Sequence, residues 1–522
     1  MSNSPIYLDN NATTRVMPAA LAAAQTAMAE AFGNPSSSHC TGLVARQLLT
    51  QARACTEQVM DSGDGQLIFM SGATEGIQTA VFSALMDIRQ RKARGESVGR
   101  LLVYGATEHK AVPQALMHWN AVLGLDLEVR ALPVCGHGQH DLELLAQWLG
   151  DTALLCTMAA NNETGVVSDL VGIERLIHAH HPGVLWLVDC VQALGKLPLK
   201  LRHTRMDYAT FSGHKLYGPK GIGLLYVRAG SPYTAMMAGG GQEAGLRAGT
   251  ENMPGIAAWG AVMKALLEGR TFQSGSRLMA HREQLARALA TAFPGVVFNA
   301  PFSLAVPTTL NFSVPGLSSN TLLALFDAAG VRVSAGSACS AAKAEPSYVL
   351  VAMGLPEWQT TSAVRLSFGP LDDSALIERA CTAIVRCGQV FAQAKEQIAT
   401  AADLPKPSVS LPQAELGAAV LPVAGLAWGE LATFLNQHPD TQVVDVRETY
   451  EHLAGMPSFL ATQVVNVPLD SLSEHLAEWL AEPARPMVFF CRTGNRSHTA
   501  AQALMRHGHA QIHHLAGGLA LA

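Results

Sequence analysis

Asp189 closes an apolar run, Val184-Leu-Trp-Leu-Val-Asp189, that reads as a buried strand. Open α/β sheets bind ligands beyond the carboxyl ends of their strands, and a carboxylate there can pair with a buried cation such as a protonated pyridine nitrogen. Twenty-six residues later stands Lys215, closing Phe211-Ser-Gly-His-Lys215. A lysine in a turn of Ser, Gly and His suits a Schiff base with a carbonyl compound. Met70-Ser-Gly-Ala-Thr-Glu75 reads as a strand-to-helix turn, whose amides and dipole would cradle a phosphate. Each piece also has an ordinary reading as a surface turn, a helix cap or a solvated charge. Their joint order and spacing favour one site.

Two thiols stand apart from the rest. Cys339 lies in Val333-Ser-Ala-Gly-Ser-Ala-Cys-Ser-Ala-Ala-Lys343, with small residues on both sides. That setting suits a nucleophile working at two positions, one facing a donor and one an acceptor. Cys491 opens a six-residue loop, Cys491 to Arg496, between the strand-like Met487-Val-Phe-Phe490 and a helix start. Loop amides and the helix N-terminus would converge on its sulfur and stabilise a thiolate or persulfide. Cys40, Cys55, Cys135, Cys156, Cys190, Cys381 and Cys387 read as structural. Nine cysteines without a C-x-x-C pair argue against a disulfide framework or a zinc site, and for free thiols in a reducing compartment. The histidines at 178, 180, 181, 507, 509, 513 and 514 lack completing ligands, so no metal is expected.

Alternating elements must position these groups. Leu67–Met70, Leu101–Tyr104, Ala153–Cys156 and Val184–Val188 are short apolar runs, separated by amphipathic stretches at 114–123, 141–149 and 170–180. This pattern predicts an α/β fold with a largely parallel, buried sheet, followed by an α+β segment from about 263 to 397. Residues 398–424 are rich in Ala, Pro and Ser and read as a linker. A compact unit follows, with strands at 442–446 and 487–490 and a helix at about 497–507. The 522 residues, 49% hydrophobic and 15% charged, imply large cores in two to four domains. A net charge of −5 without a basic run gives no nucleic-acid footprint. The N-terminal segment lacks a signal-peptide pattern and no membrane-length apolar run occurs, so a cytoplasmic location is expected.

Thr13, NPSS (34–37), SGATE (71–75), TEHKAV (107–112), NNETG (161–165), VDCVQALGK (188–196), SGHKLYGPKG (212–221), GGGQEAGLRAGT (239–250), AGSACS (335–340), EPSYVL (345–350) and VRLSFG (364–369) resemble the cysteine desulfurases of iron–sulfur assembly, in the class-V aminotransferase-like group. The resemblance implies a fold-type I pyridoxal-phosphate enzyme. Its large domain would span about 15–262 and its small domain 1–14 plus 263–397. Lys215 would form the Schiff base with pyridoxal 5'-phosphate, Asp189 would hold the pyridine nitrogen, and His109 would stack on the ring. Gln192 and Asn162 would face the phenolic oxygen. Ala73, Thr74, Ser212 and His214 would surround the phosphate, and Thr250 would reach the phosphate of a neighbouring subunit in a homodimer. Arg365 would clamp the carboxylate of L-cysteine, with Asn34 nearby. Cys339 would take the sulfur as a persulfide and release L-alanine, and its surroundings resemble the long-loop branch.

Residues 425–522 resemble single-domain rhodaneses, through Asp445-Val-Arg-Glu448, the loop Cys491-Arg492-Thr493-Gly494-Asn495-Arg496 and His514-Leu-Ala-Gly-Gly518. The family's usual Gly-His-Ile-Pro-Gly stretch is replaced by Gly455-Met-Pro-Ser-Phe-Leu-Ala-Thr-Gln463. The two resemblances together imply a sulfur relay from Cys339 to Cys491 and onward to an acceptor protein, such as an iron–sulfur scaffold or a thiolation enzyme. Alternatives at this point are a selenocysteine lyase of the same fold, and a rhodanese-like module that only docks partners.

Overall fold

The computed structural model describes residues 5–336, 346–402, 423–456 and 464–521. The chain divides into two compact units. One comprises residues 6–323 and 332–380, and the other residues 1–5, 324–331 and 381–522.

The first unit is built on a seven-stranded sheet. Its strands are β1 (Gln66–Met70), β2 (Leu101–Gly105), β3 (Glu128–Leu132), β4 (Thr152–Met158), β5 (Leu185–Asp189), β6 (Tyr208–Ser212) and β7 (Gly223–Val227), in the spatial order β1-β7-β6-β5-β4-β2-β3. Only β7 runs antiparallel to its neighbours. The expected largely parallel α/β sheet is therefore present. Its central strands are continuous apolar runs because helices cover both faces. Along β4 and β5 the side chains alternate between two cores. Leu155, Trp186 and Val188 face one, and Leu154, Cys156 and Leu187 the other. Trp186 is fully buried and satisfies its indole by donating to Thr157 Oγ1 at 2.9 Å. Truncating such a side chain costs about 3–5 kcal/mol.

A three-stranded antiparallel sheet in the same unit contains β8 (Val297–Phe298), β9 (Thr309–Ser313) and β10 (Val364–Ser367), with β9 in the middle. It sets Arg365 directly opposite Asn311. The N-terminal segment lies along β10. Ser367 N donates to Leu8 O at 2.7 Å, and Asn10 N donates to Ser367 O at 3.0 Å. This pairing carries Asp9, Asn11 and Ala12 toward the carboxyl ends of β5 and β6.

The second unit holds a five-stranded, all-parallel sheet. Its strands are β11 (Ala424–Leu426), β12 (Gln442–Asp445), β13 (Val464–Asn466), β14 (Met487–Phe490) and β15 (Ile512–Leu515), in the order β11-β15-β14-β12-β13. Val444, Phe489, Trp479 and Leu504 pack on one face, and Val443, Val488 and Phe490 on the other. The helix Ser374–Ala402 runs past position 397. Among the described residues no helix is long and apolar enough to cross a membrane.

Candidate active site

A cavity of about 450 Å³ lies beyond the carboxyl ends of β5 and β6. Asp189 ends β5, Ser212 ends β6, and Lys215 follows in the short 3-10 turn Gly213–Lys215. The chain reverses there into β7, with Gly213 N donating to Ile222 O at 2.9 Å. Opposite stands the start of the helix Ala73–Ala93. Gly223 makes that approach possible, because a β-carbon on it would sit 2.6 Å from Gly72 Cα. The cavity wall includes Ala73, Thr74, His109, Asn162, Asp189, Gln192, Ser212, His214, Lys215 and Arg365. Ten of the expected cofactor and substrate residues thus come together from six stretches of sequence. Thr250 and Asn34 do not line this cavity. Thr250 is exposed beside a smaller hollow, and Asn34 Oδ1 accepts from Ser36 N at 2.9 Å. Cys339 lies outside the described residues.

The electrostatics follow from burial. Asp189 is buried, and loss of water pushes its carboxyl upward, against the Val191 N–H that it accepts at 2.9 Å and the positive fields of His109 and Lys215. Lys215 Nζ donates to the backbone carbonyls of Asn11 and Ala12 at 2.7 and 2.8 Å. His214 shares a contact with Thr13 Oγ1 at 3.2 Å, and burial, then Lys215 and Lys220, depress it to about 4. Its ring is therefore neutral at pH 7 and can donate one N–H without adding charge. Arg365 is 1% exposed, donating to Asn162 O at 3.0 Å and to Asp9 Oδ1 at 2.6 Å.

The donor set fits pyridoxal phosphate. The amides opening a 21-residue helix, with Ser212 and His214, suit a phosphate. Asp189 suits a ring cation, and Lys215 offers an amine within the same cavity. Asn162 Oδ1 and Arg365 Nε are buried without a protein partner, a demand that a bound polar ligand meets. Residues outside the motifs singled out in the sequence also line the wall, among them Asn11, Ala12, Met158 and Ala160. Asn11 belongs to Leu8-Asp-Asn-Asn-Ala12, whose polar run before Thr13 was the available signal.

In the second unit Cys491 follows β14, is 1% exposed, and meets the expected field. Gly494 N and Ser497 N donate to its Sγ at 3.2 and 3.4 Å. Gly494 adopts φ +91° to begin the helix Asn495–Arg506, turning the loop amides inward. Arg496 is clamped by the buried Glu451 through two contacts of 2.6 and 2.8 Å, while Thr493 and Asn495 are exposed and Arg492 partly so. Beside the loop, Asp445 accepts from Arg447 and contacts His452 Nδ1 at 2.9 Å. Burial raises this carboxyl, but those donors outweigh it and hold Asp445 below the usual carboxylate range.

Comparison with known proteins agrees with this geometry. Residues 6–379 match the family model for aminotransferase class-V, and residues 428–521 match that for the rhodanese-like domain. A cysteine desulfurase of Cereibacter sphaeroides is 38% identical over 377 residues, covering 72% of this chain and 93% of its own. One from Trichormus azollae is 36% identical over 382 residues, covering 72% and 91%. Among solved structures, a NifS-like protein superposes with a TM-score of 0.66 at 30% identity, covering 74% of this chain and all of its own. A NifS-like protein from Rickettsia africae gives 0.61 at 26%, covering 74% and 99%.

Proposed function

The chain belongs to the class-V aminotransferase family as one of its cysteine desulfurases, and on that premise we propose that it moves the sulfur of L-cysteine to Cys339 and then to Cys491. The observation that carries the first step is the cavity that joins Asp189, His109 and Lys215 to a helix N-terminus. Pyridoxal phosphate, when bound, supplies an electron sink for the α-carbon of the substrate. Lys215 would hold it covalently, Asp189 would keep its ring nitrogen protonated, and the 73–74 turn with Ser212 and neutral His214 would grip the phosphate. Gln192 and Asn162 would face the phenolic oxygen, and His109 would stack on the ring and move a proton. Arg365 takes the substrate carboxylate through its planar guanidinium. Thr250, exposed on one chain, serves the phosphate of a partner copy. The Cys339 thiolate attacks the substrate sulfur, the Cβ–S bond breaks, and alanine leaves after Cβ gains a proton.

The second step needs no oxidant. The Cys491 thiolate attacks the outer sulfur of the Cys339 persulfide, its S–S bond breaks, and Cys339 returns as a thiolate. Two N–H groups on Cys491 Sγ supply the stabilisation that an incoming persulfide anion requires. Protein acceptors such as an iron–sulfur scaffold or a thiolation enzyme then take the sulfur.

Incubating full-length Cys339→Ser and Cys491→Ser variants with ³⁵S-cysteine tests the order. The expected result is label on Cys339 in the Cys491→Ser protein and none on Cys491 in the Cys339→Ser protein. Label on Cys491 without Cys339 would sink the relay and leave the desulfurase reading intact.

A further inference from the structure

Lys196 belongs to no role assigned so far, yet it organises the polar groups behind the cavity. Its Nζ donates to Gln192 Oε1 at 2.6 Å and to Asn11 Oδ1 at 3.0 Å. An ammonium has only donors, so both amides must turn their oxygens toward it. The far end of each amide is then fixed. Gln192 Nε2 donates to Asn11 O at 3.1 Å, the same carbonyl that accepts from Lys215 Nζ. Asn11 Nδ2 donates to Asn162 O at 3.2 Å and to Thr309 Oγ1 at 2.8 Å, and Asn162 O also accepts from Arg365. One ammonium therefore orders a chain of amides running from Lys215 to Arg365.

We propose that Lys196 is a positioning residue for the cofactor site, locking the Gln192 carboxamide so that its NH₂ group, not its oxygen, is offered to the bound cofactor. A reversed Gln192 would set two donors against each other at Lys196, whereas the observed orientation leaves one amide N–H beyond the bond to Asn11. Burial, then the charges of Lys215 and Arg365, lower Lys196 to about 7 and so disfavour its ammonium, but the neutral amine keeps two N–H groups for the same two amide oxygens. The inference rests on reading this cavity as the pyridoxal phosphate site.

The test uses full-length holoenzyme and follows the pH midpoint of the bound pyridoxal absorbance, together with the dissociation constant for pyridoxal phosphate. Removing a donor aimed at an oxyanion raises that group's proton affinity. Lys196→Met is expected to move the midpoint up by about one pH unit and weaken retention about tenfold, and Lys196→Arg to restore both. In a Gln192→Leu background, Lys196→Met should add no further shift, because the effect passes through the amide. An unmoved midpoint in Lys196→Met overturns the proposal, as does a full additional shift without Gln192, which would mean that Lys196 acts by charge alone. If Lys196→Met does not fold by circular dichroism, Lys196→Gln takes its place. A smaller upward shift is then expected, and none overturns the proposal. Wild-type protein with no pyridoxal absorbance would instead defeat the cofactor reading itself.

Discussion

At the scale of single residues, the site is held by groups that burial has forced into unusual states. His140 is buried beside Gly105 with neither ring nitrogen bonded, and burial lowers it to about 4. The folded chain keeps this ring neutral where the unfolded chain protonates it near pH 6.5. The unfolded state therefore binds more protons between about pH 6.5 and 4. Stability contributed by the neutral ring is complete above 6.5 and is lost as pH falls through that window. Between pH 7 and 5 the loss is on the order of 2 kcal/mol. Urea midpoints at the two pH values should separate less in His140→Gln than in wild type, and an equal separation would assign the acid limb to other groups. Neither His140 nor Lys196 was legible in the sequence, since burial alone defines the first and a bond to Asn11, 185 residues away, helps define the second. Lys215 and Asp189 were legible because Asp189 ends one recognisable strand and Lys215 follows another by three residues, each with a side chain whose chemistry is specific.

At the scale of elements, legibility followed periodicity. The apolar runs at 67–70, 101–104 and 184–188 fall on β1, β2 and β5 within a residue or two, and the 170–180 stretch is the helix Leu170–His180. What the pattern could not carry was strand direction. β7 is as apolar as the parallel strands of the sheet, and only its pairing with β1 and β6 sets it antiparallel. Close approaches between elements were equally hidden. Gly518, at φ +57°, lies against the Cys491 loop, where a β-carbon would stand 2.3 Å from Cys491 O and 2.7 Å from Gly494 N. Gly518→Ala must therefore push the loop and strain the turn at once, a cost of about 1–3 kcal/mol for the backbone alone. The expected outcome is at least a tenfold fall in ³⁵S transferred to Cys491, with alanine production within twofold of wild type. Unchanged transfer would mean that the Gly517-Gly518 turn does not fix the loop.

At the scale of the whole molecule, the proposed homodimer would complete what one chain leaves unfinished. The helices Pro18–Ala29 and Cys40–Met60 both pack on the helix Met253–Glu268. Their other faces, with the adjoining turn, expose Leu21, Met28, Phe32, Leu43 and Val44, and Phe32 is 70% exposed. Single exposed apolar residues are common, but five of them within 24 residues suit a buried contact between subunits. Thr250 is exposed too, consistent with its assignment to a partner's phosphate. Wild-type protein is expected to sediment at twice the 55.2 kDa chain mass. Phe32→Asp places a charge where that contact requires apolar surface, so the variant should sediment as a monomer at micromolar concentration and retain pyridoxal phosphate at least tenfold less tightly. A monomeric wild type with full cofactor retention would remove both the shared site and the role given to Thr250. A dimer that survives Phe32→Asp would move the interface to another face of the first unit. If the dimer forms as proposed, mixing Cys339→Ser chains with Cys491→Ser chains also settles the path of the sulfur. Label reaching Cys491 in the mixed dimer requires transfer between subunits, and its absence confines the relay to one chain.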